Sequence, residues 1–206
     1  MADASPWLLV GLGNPGREYA HNRHNVGFMV AERWVDRHLA PGVAASWREK
    51  FHASTTSVSL GRERVVTVLP QTYMNRSGKS VVAAAQFHRV APERTIVVHD
   101  EIDFEFGRVA VKKGGGHGGH NGLRDIIGLG GSPDFVRIRV GVGRPRLGND
   151  VSKWVLGDFD EVDAAELPEV VERAGQAITA VIERGVRAAM NLFNQQSPRG
   201  GPAANP

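Results

Sequence analysis

The chain has 206 residues, is 41% hydrophobic and 23% charged, carries a formal net charge of +3, and contains no cysteine. That composition suits one globular domain with a substantial core and excludes disulfides and thiolate metal sites. Met1 to Pro6 has neither a basic stretch nor an apolar run, and no segment nears the roughly 20 apolar residues that span a bilayer, so a soluble cytoplasmic protein without a signal peptide is expected.

Leu8 to Val10 reads as a short buried strand running into Gly11-Leu12-Gly13-Asn14-Pro15-Gly16. A helix is expected from about Asn25 to Leu39, because Val26, Val30 and Trp34 recur at spacing four and Pro41-Gly42 ends the pattern. Phe51 to Val58 and Val65 to Leu69 read as strands around a turn at Gly61-Arg62-Glu63. Ser77 to Phe87 reads as helical. Thr95 to Val98 is a continuous apolar strand leading directly into His99-Asp100-Glu101. Val109 to Val111 and Val136 to Val140 are further strands, separated by the glycine-rich stretch from Gly114 to Gly122; Leu123 to Ile127 begins a short helix after it. Val170, Val171, Ala174, Ala177, Ile178, Val181 and Ile182 form the apolar stripe of a C-terminal amphipathic helix. Pro198 to Pro206 is rich in Gly and Pro and reads as disordered.

Alternating strands and helices predict an α/β fold in one domain, with a twisted, mixed but mostly parallel central sheet flanked by helices. The expected organisation is a short extension at 1–6, the folded domain at 7–196 and a tail at 197–206. Charge is uneven. Arg108, Lys112, Lys113, Arg124, Arg137, Arg139, Arg144 and Arg146 are opposed only by Asp125 and Asp134, and the balance reverses between Asp150 and Glu172. Such a basic segment fits a polyanionic partner or a solvated face equally well.

Polar residues follow three apolar strands: Asn14 the first, Met74-Asn75 the Val65–Leu69 strand, and Asp100 the Thr95–Val98 strand. Ligands in open α/β sheets bind beyond the carboxyl ends of strands, so neighbouring strands would gather Asn14, His24, Asn75 and Asp100 at one edge. His24 and Asp100 then suit a base and its orienting carboxylate. No serine or cysteine sits in a nucleophile elbow, so the nucleophile would be water. The amides of Asn14 and Asn75 suit substrate positioning or developing oxyanion charge. Taken singly, each residue has a plainer reading as a cap, a turn or core. The glycine loop, with Lys112, Lys113 and Arg139 nearby, fits a cradle for sugar and phosphate.

Two rival motifs are weak. Gly11-x-Gly13-x-x-Gly16 matches a dinucleotide fingerprint in spacing, but Pro15 interrupts it and the helix starts late. His21-x-x-His24 with His117-x-x-His120 suggests four metal ligands, but lacks the glutamate of the zincin motif.

Five stretches in order closely resemble the bacterial peptidyl-tRNA hydrolases: Gly11 to Tyr19, Arg23-His24-Asn25-x-Gly27, Pro70 to Gly78, His99-Asp100-Glu101-x-Asp103, and Gly114 to Gly122. The resemblance runs from about Trp7 to Phe193. It implies hydrolysis of the ester between a peptide and the terminal ribose of tRNA, by a cytoplasmic monomer without metal or organic cofactor. It implies His24 as general base and Asp100 as its orienting partner. Asn14 and Asn75 would engage the peptide and ester, and Asn121 would help position water or substrate. Tyr19 and Met74 would line the site near the terminal adenosine and peptide, with His120 at its flank. Lys112 and Arg139 fall where the family clamps the tRNA 5′-phosphate, with Lys113 the alternative to Lys112. Gly141 to about Phe159 would form a mobile flap. A non-catalytic RNA-binding module and a nucleotide-dependent oxidoreductase are the competing classes.

Overall fold

The computed structural model describes residues 5–147 and 149–195; the expected tail at 197–206 and most of the 1–6 extension lie outside them. Seven strands form one sheet: β1 (Trp7–Gly11), β2 (Arg48–Lys50), β3 (Ala53–Leu60), β4 (Glu63–Pro70), β5 (Thr95–Glu101), β6 (Val109–Lys113) and β7 (Val136–Gly141). Their order is β2-β3-β4-β1-β5-β7-β6. The middle of the sheet, β4-β1-β5-β7, is parallel, and both edges are antiparallel. The expected mixed sheet with a parallel centre is therefore present.

Among the described residues six α-helices flank it: α1 (Val26–Arg37), α2 (Ser77–His88), α3 (Asn121–Gly130), α4 (Val151–Val155), α5 (Glu161–Arg184) and α6 (Val186–Phe193). One apolar layer joins Leu9, Ile96, Val98 and Ile138 of the sheet to Val30 and Trp34 of α1, Ile178 of α5 and Phe193 of α6. The opposite layer joins Leu8, Val10, Val68 and Val97 to Val81 of α2 and Leu123 of α3. The central strands are thus buried on both faces, which is why they read as continuous apolar runs. No helix among the described residues is long and apolar enough to cross a membrane.

Several elements differ from expectation: β5 runs on past Val98 through His99, Asp100 and Glu101, and α3 opens at Asn121 rather than Leu123. Phe51 and His52 are not strand residues but a turn with φ of 58° and 54°, so β3 starts at Ala53. β2 lacked any apolar signal, being Arg-Glu-Lys on an exposed edge. The last long helix begins at Glu161, capped by Asp160, and passes through Pro168 before the apolar stripe starts.

Close packing explains the first glycines. A Cβ on Gly27 would lie 2.4 Å from the Val98 carbonyl oxygen, and one on Gly11 would lie 2.5 Å from the Gly27 oxygen. These two positions let the start of α1 press directly on β1 and β5, and this fixes the segment carrying His24 against the sheet.

Candidate active site

At the carboxyl ends of β1, β4 and β5 lies a cavity of about 420 Å³ whose wall includes Asn14, His24, Met74, Asn75, Asp100 and His120. The expected convergence of Asn14, His24, Asn75 and Asp100 is present, because β1 has β4 on one side and β5 on the other.

Asp100 organises the site. It is 3% exposed, and its Oδ1 lies 2.7 Å from His24 Nδ1 and 3.0 Å from His120 Nε2. His120 caps α3: its Nδ1 accepts from the backbone N–H groups of Gly122 and Leu123 at 3.1 and 3.3 Å. That nitrogen is therefore unprotonated, and Nε2–H is the donor to Asp100. A third imidazole, His99, donates from Nδ1 to the Asp100 main-chain carbonyl at 2.7 Å and stacks edge-on to His120. In His24, Nδ1–H faces the carboxylate, which leaves Nε2 as the basic nitrogen.

Burial by itself would depress the His24 pKa, but the charge and hydrogen bond of Asp100 raise it above the ordinary 6.5. Burial would likewise raise Asp100, yet His24 and His120 hold it well below the ordinary carboxylate value. His99 has no such carboxylate bond; burial and the neighbouring His120 hold it at about 3, so it is neutral. Two of these histidines thus bond the Asp100 carboxylate, and His24 combines a raised pKa with a ring nitrogen left free at the cavity.

The asparagines divide their work. Asn14 donates its N–H to Asn25 Oδ1 at 2.9 Å, and its side-chain oxygen accepts from Met74 N–H at 2.8 Å. With that oxygen occupied, Asn14 has its NH₂ group to offer. Asn75 is exposed on the cavity wall, in the one-turn helix Met74–Arg76. Asn121 opens α3, and its Oδ1 accepts from Arg124 Nη1 at 2.9 Å. Met74 is 4% exposed and belongs to the core as well as the wall. Tyr19 is half-buried on its own short turn and is not part of the wall.

The cations sort by strand alternation. Register pairs Lys112 with Arg137 and Ala110 with Arg139, so Lys112, Arg137 and Arg139 share one face, while Lys113 opposes Val136 on the other. Arg139 is ion-paired with Glu101, which lines the cavity. Arg137 is buried, and its guanidinium donates to the carbonyls of Gly115 and Gly116. It thereby pins the glycine loop that delivers His120; its position within a basic run gave no hint of this.

The outer wall comes from within Gly141 to Phe159, the stretch expected as a flap over the cleft. Val151, Ser152, Val155 and Leu156, in and just after α4, face the site. That segment is fastened beside His24. The Arg23 guanidinium lies 3.8 Å from the Trp154 ring centroid and donates to the Asp158 carbonyl; Arg23 N–H donates to Gly157 O at 3.0 Å. Asn22 adds a 2.6 Å bond to Asp158 Oδ1.

Among the described residues, His24, Asp100 and His120 form a group whose ligand atoms lie within 4.8 Å of one another, a spacing a divalent metal can use. Metal binding would have to displace both N–H protons now donated to the carboxylate. The four-histidine arrangement does not form: His21 is outside the cavity wall, and His117 accepts from Gly119 N–H.

A family model described as peptidyl-tRNA hydrolase matches residues 8–200. The chain is 46% identical over 189 residues to a peptidyl-tRNA hydrolase of Syntrophotalea carbinolica, covering 92% of this chain and 97% of that one. It is 48% identical over 191 residues to one of Anaeromyxobacter dehalogenans, with 92% and 97% covered. A crystal structure of peptidyl-tRNA hydrolase from Acinetobacter baumannii superposes with a TM-score of 0.85 at 39% identity, covering 96% of this chain and 99% of that one.

Proposed function

The chain belongs to the peptidyl-tRNA hydrolase family, and from that premise we propose that it hydrolyses the ester between a peptide and the terminal ribose of tRNA, with His24 as general base. One observation carries the assignment of roles: a buried carboxylate takes the Nδ1–H of His24, which leaves Nε2 at the cavity.

His24 Nε2 removes a proton from water as the water oxygen attacks the ester carbonyl carbon. The growing imidazolium charge is stabilised by Asp100, which stays ionised. Amide groups of Asn75, Asn121 and Asn14 hold the substrate and donate to the developing oxyanion. Collapse breaks the bond to the ribose oxygen, and His24 returns its proton to that oxygen. The products are a free peptide carboxylic acid and a tRNA with its terminal hydroxyl restored. An ester has a leaving group good enough for this chemistry without a Lewis acid.

His120 strengthens Asp100 as an anion rather than acting on substrate directly, since its two nitrogens are committed to α3 and to Asp100. Lys112 and Arg139, which share a face, hold the tRNA 5′-phosphate, and Lys113 does not join them. Tyr19 is not among the residues of the cavity wall and would meet the acceptor end beyond it. The active species in this reading is a cytoplasmic monomer.

Purified protein should release tRNA from N-acetyl-aminoacyl-tRNA. Binding without release of any peptidyl-tRNA would instead make it an RNA-binding module.

A further inference from the structure

On the far side of the cavity from Lys112 and Arg139, the β2-β3-β4 wing of the sheet carries a second, separate groove. Its volume is about 350 Å³, and Arg48, Lys50, Arg64 and His88 line it with Thr55, Ser57 and Phe51; no carboxylate does. Strand alternation creates this polarity. Arg48 pairs with Thr55 and Lys50 with Ala53, so both cations lie on one face and Glu49 points to the other. Arg64 pairs with Ser59 on the same face.

These cations are uncompensated. Arg48, Lys50 and Arg64 take part in no salt bridge among the described residues, whereas nearby Glu63 is bound to Arg94. Lys50 Nζ sits 3.5 Å from the Phe87 ring centroid, and Phe87 is 59% exposed. Besides burial, the charges of Arg64 and Lys50 hold His88 below its ordinary pKa, as a cationic surface should.

The groove begins next to the cavity. The Phe51–His52 turn is tied to Gln71, whose N–H donates to the His52 carbonyl at 2.8 Å, and Tyr73 two residues later lines the cavity. Sheet order then fixes direction. The phosphate-binding face is on β6 and β7, the ester cavity on β4, β1 and β5, and this groove on β2 and β3. RNA and peptide depart from opposite sides of the ester, so the groove lies on the peptide's side. Crossing from β4 to β2 covers two strand spacings, roughly 10 Å or about three extended residues, and reaches Lys50 first, level with Pro70; the backbone at Arg64 lies further back, roughly 20 Å along β4 from Pro70.

We propose that this cationic groove binds the peptide of the substrate a few residues upstream of the ester, and favours peptides with acidic side chains there. This rests on the hydrolase reading and on Lys112 and Arg139 as the phosphate site. Exposed charge pairs are individually weak and screened by salt, so the preference should be modest and strongest at low ionic strength.

The test compares three substrates on one tRNA: N-acetyl-aminoacyl-tRNA, and peptidyl-tRNAs with Glu or Lys at each residue from the third to the sixth from the ester. At low salt, the wild-type protein should favour the Glu over the Lys peptide by about five- to tenfold in kcat/KM. Lys50→Glu with Arg64→Glu should invert that order and leave the N-acetyl substrate within about twofold. Lys50→Gln with Arg64→Gln should abolish the preference without inverting it, and guards against misfolding of the charge-reversed pair. Equal Glu and Lys rates in the wild type would overturn the proposal. So would equal weakening of all three substrates in the variants, which would assign the cations to RNA. If the wild type fails on the N-acetyl substrate itself, the hydrolase reading falls instead.

Discussion

Asp100→Asn removes the charge between His24 and His120 while keeping an oxygen able to accept the His24 Nδ1–H. His24 therefore retains its tautomer and its place, and loses the carboxylate that stabilises its protonated form. At an effective dielectric of 20, a unit charge about 4 Å from the imidazolium is worth about 4 kcal/mol. A hydrogen bond to a charged group contributes about 1.5–3 kcal/mol. Because the two overlap, the loss should be roughly 3–5 kcal/mol, or about 10²- to 10⁴-fold in kcat. KM should change little, since the Asp100 carboxylate is engaged by His24 and His120. The pH profile provides a second readout. His24 must be neutral to act, so kcat/KM falls as pH drops through its pKa, and in the wild type this limb should lie above pH 6.5. In Asp100→Asn, burial is left as the dominant influence, and the limb should move to lower pH. Steady-state hydrolysis of N-acetyl-aminoacyl-tRNA between pH 5 and 9 measures both. A variant with kcat within threefold of wild type, or an unmoved limb, would refute the reasoning.

Three further outcomes follow from other contacts. Lys112→Ala and Arg139→Ala should each flatten the salt dependence of tRNA binding by roughly 0.9 in log–log slope, as loss of one phosphate contact requires, while Lys113→Ala should not; fluorescence titrations from 50 to 200 mM salt decide it. Arg23→Gln should raise KM several-fold with kcat less affected, because it unfastens Trp154 and Asp158 and so loosens the wall formed by Val155 and Leu156; an unchanged KM would show that the wall holds without it. His99 has a folded pKa of about 3, below the ordinary 6.5, so the unfolded chain takes up a proton that the fold refuses. Stability should therefore fall with pH below 6.5, by up to about 1.4 kcal/mol per unit from this residue; His99→Gln should be flatter by that amount in urea unfolding between pH 6 and 4.5.

The parts of this molecule legible in the sequence are those in which neighbouring residues carry the information. Buried parallel strands such as Thr95 to Val98 announce themselves as apolar runs, and polar residues directly after them mark the site. Gly11 and Gly13 looked like a cofactor fingerprint, yet they serve close packing: a Cβ on Gly13 would lie 2.7 Å from the Phe28 ring. What stayed hidden depends on distant partners. The commitment of His120 to Asp100 needs the cap of α3 to face the end of β5. Arg23 gains its meaning from Trp154 and Asp158, more than 130 residues away. Lys112 and Lys113 were indistinguishable until the β6-β7 register put them on opposite faces. Charged elements were missed for a related reason: β2 and the first two turns of α5 have no apolar periodicity to read.

The central claim is that His24 activates water for ester hydrolysis, and it is tested most directly by single-turnover hydrolysis of N-acetyl-aminoacyl-tRNA in excess chelator. The wild type should release tRNA fully, and His24→Ala should be slower by about 10²- to 10⁴-fold while binding tRNA normally. Full turnover by His24→Ala, or a wild type silenced by the chelator, would contradict the account.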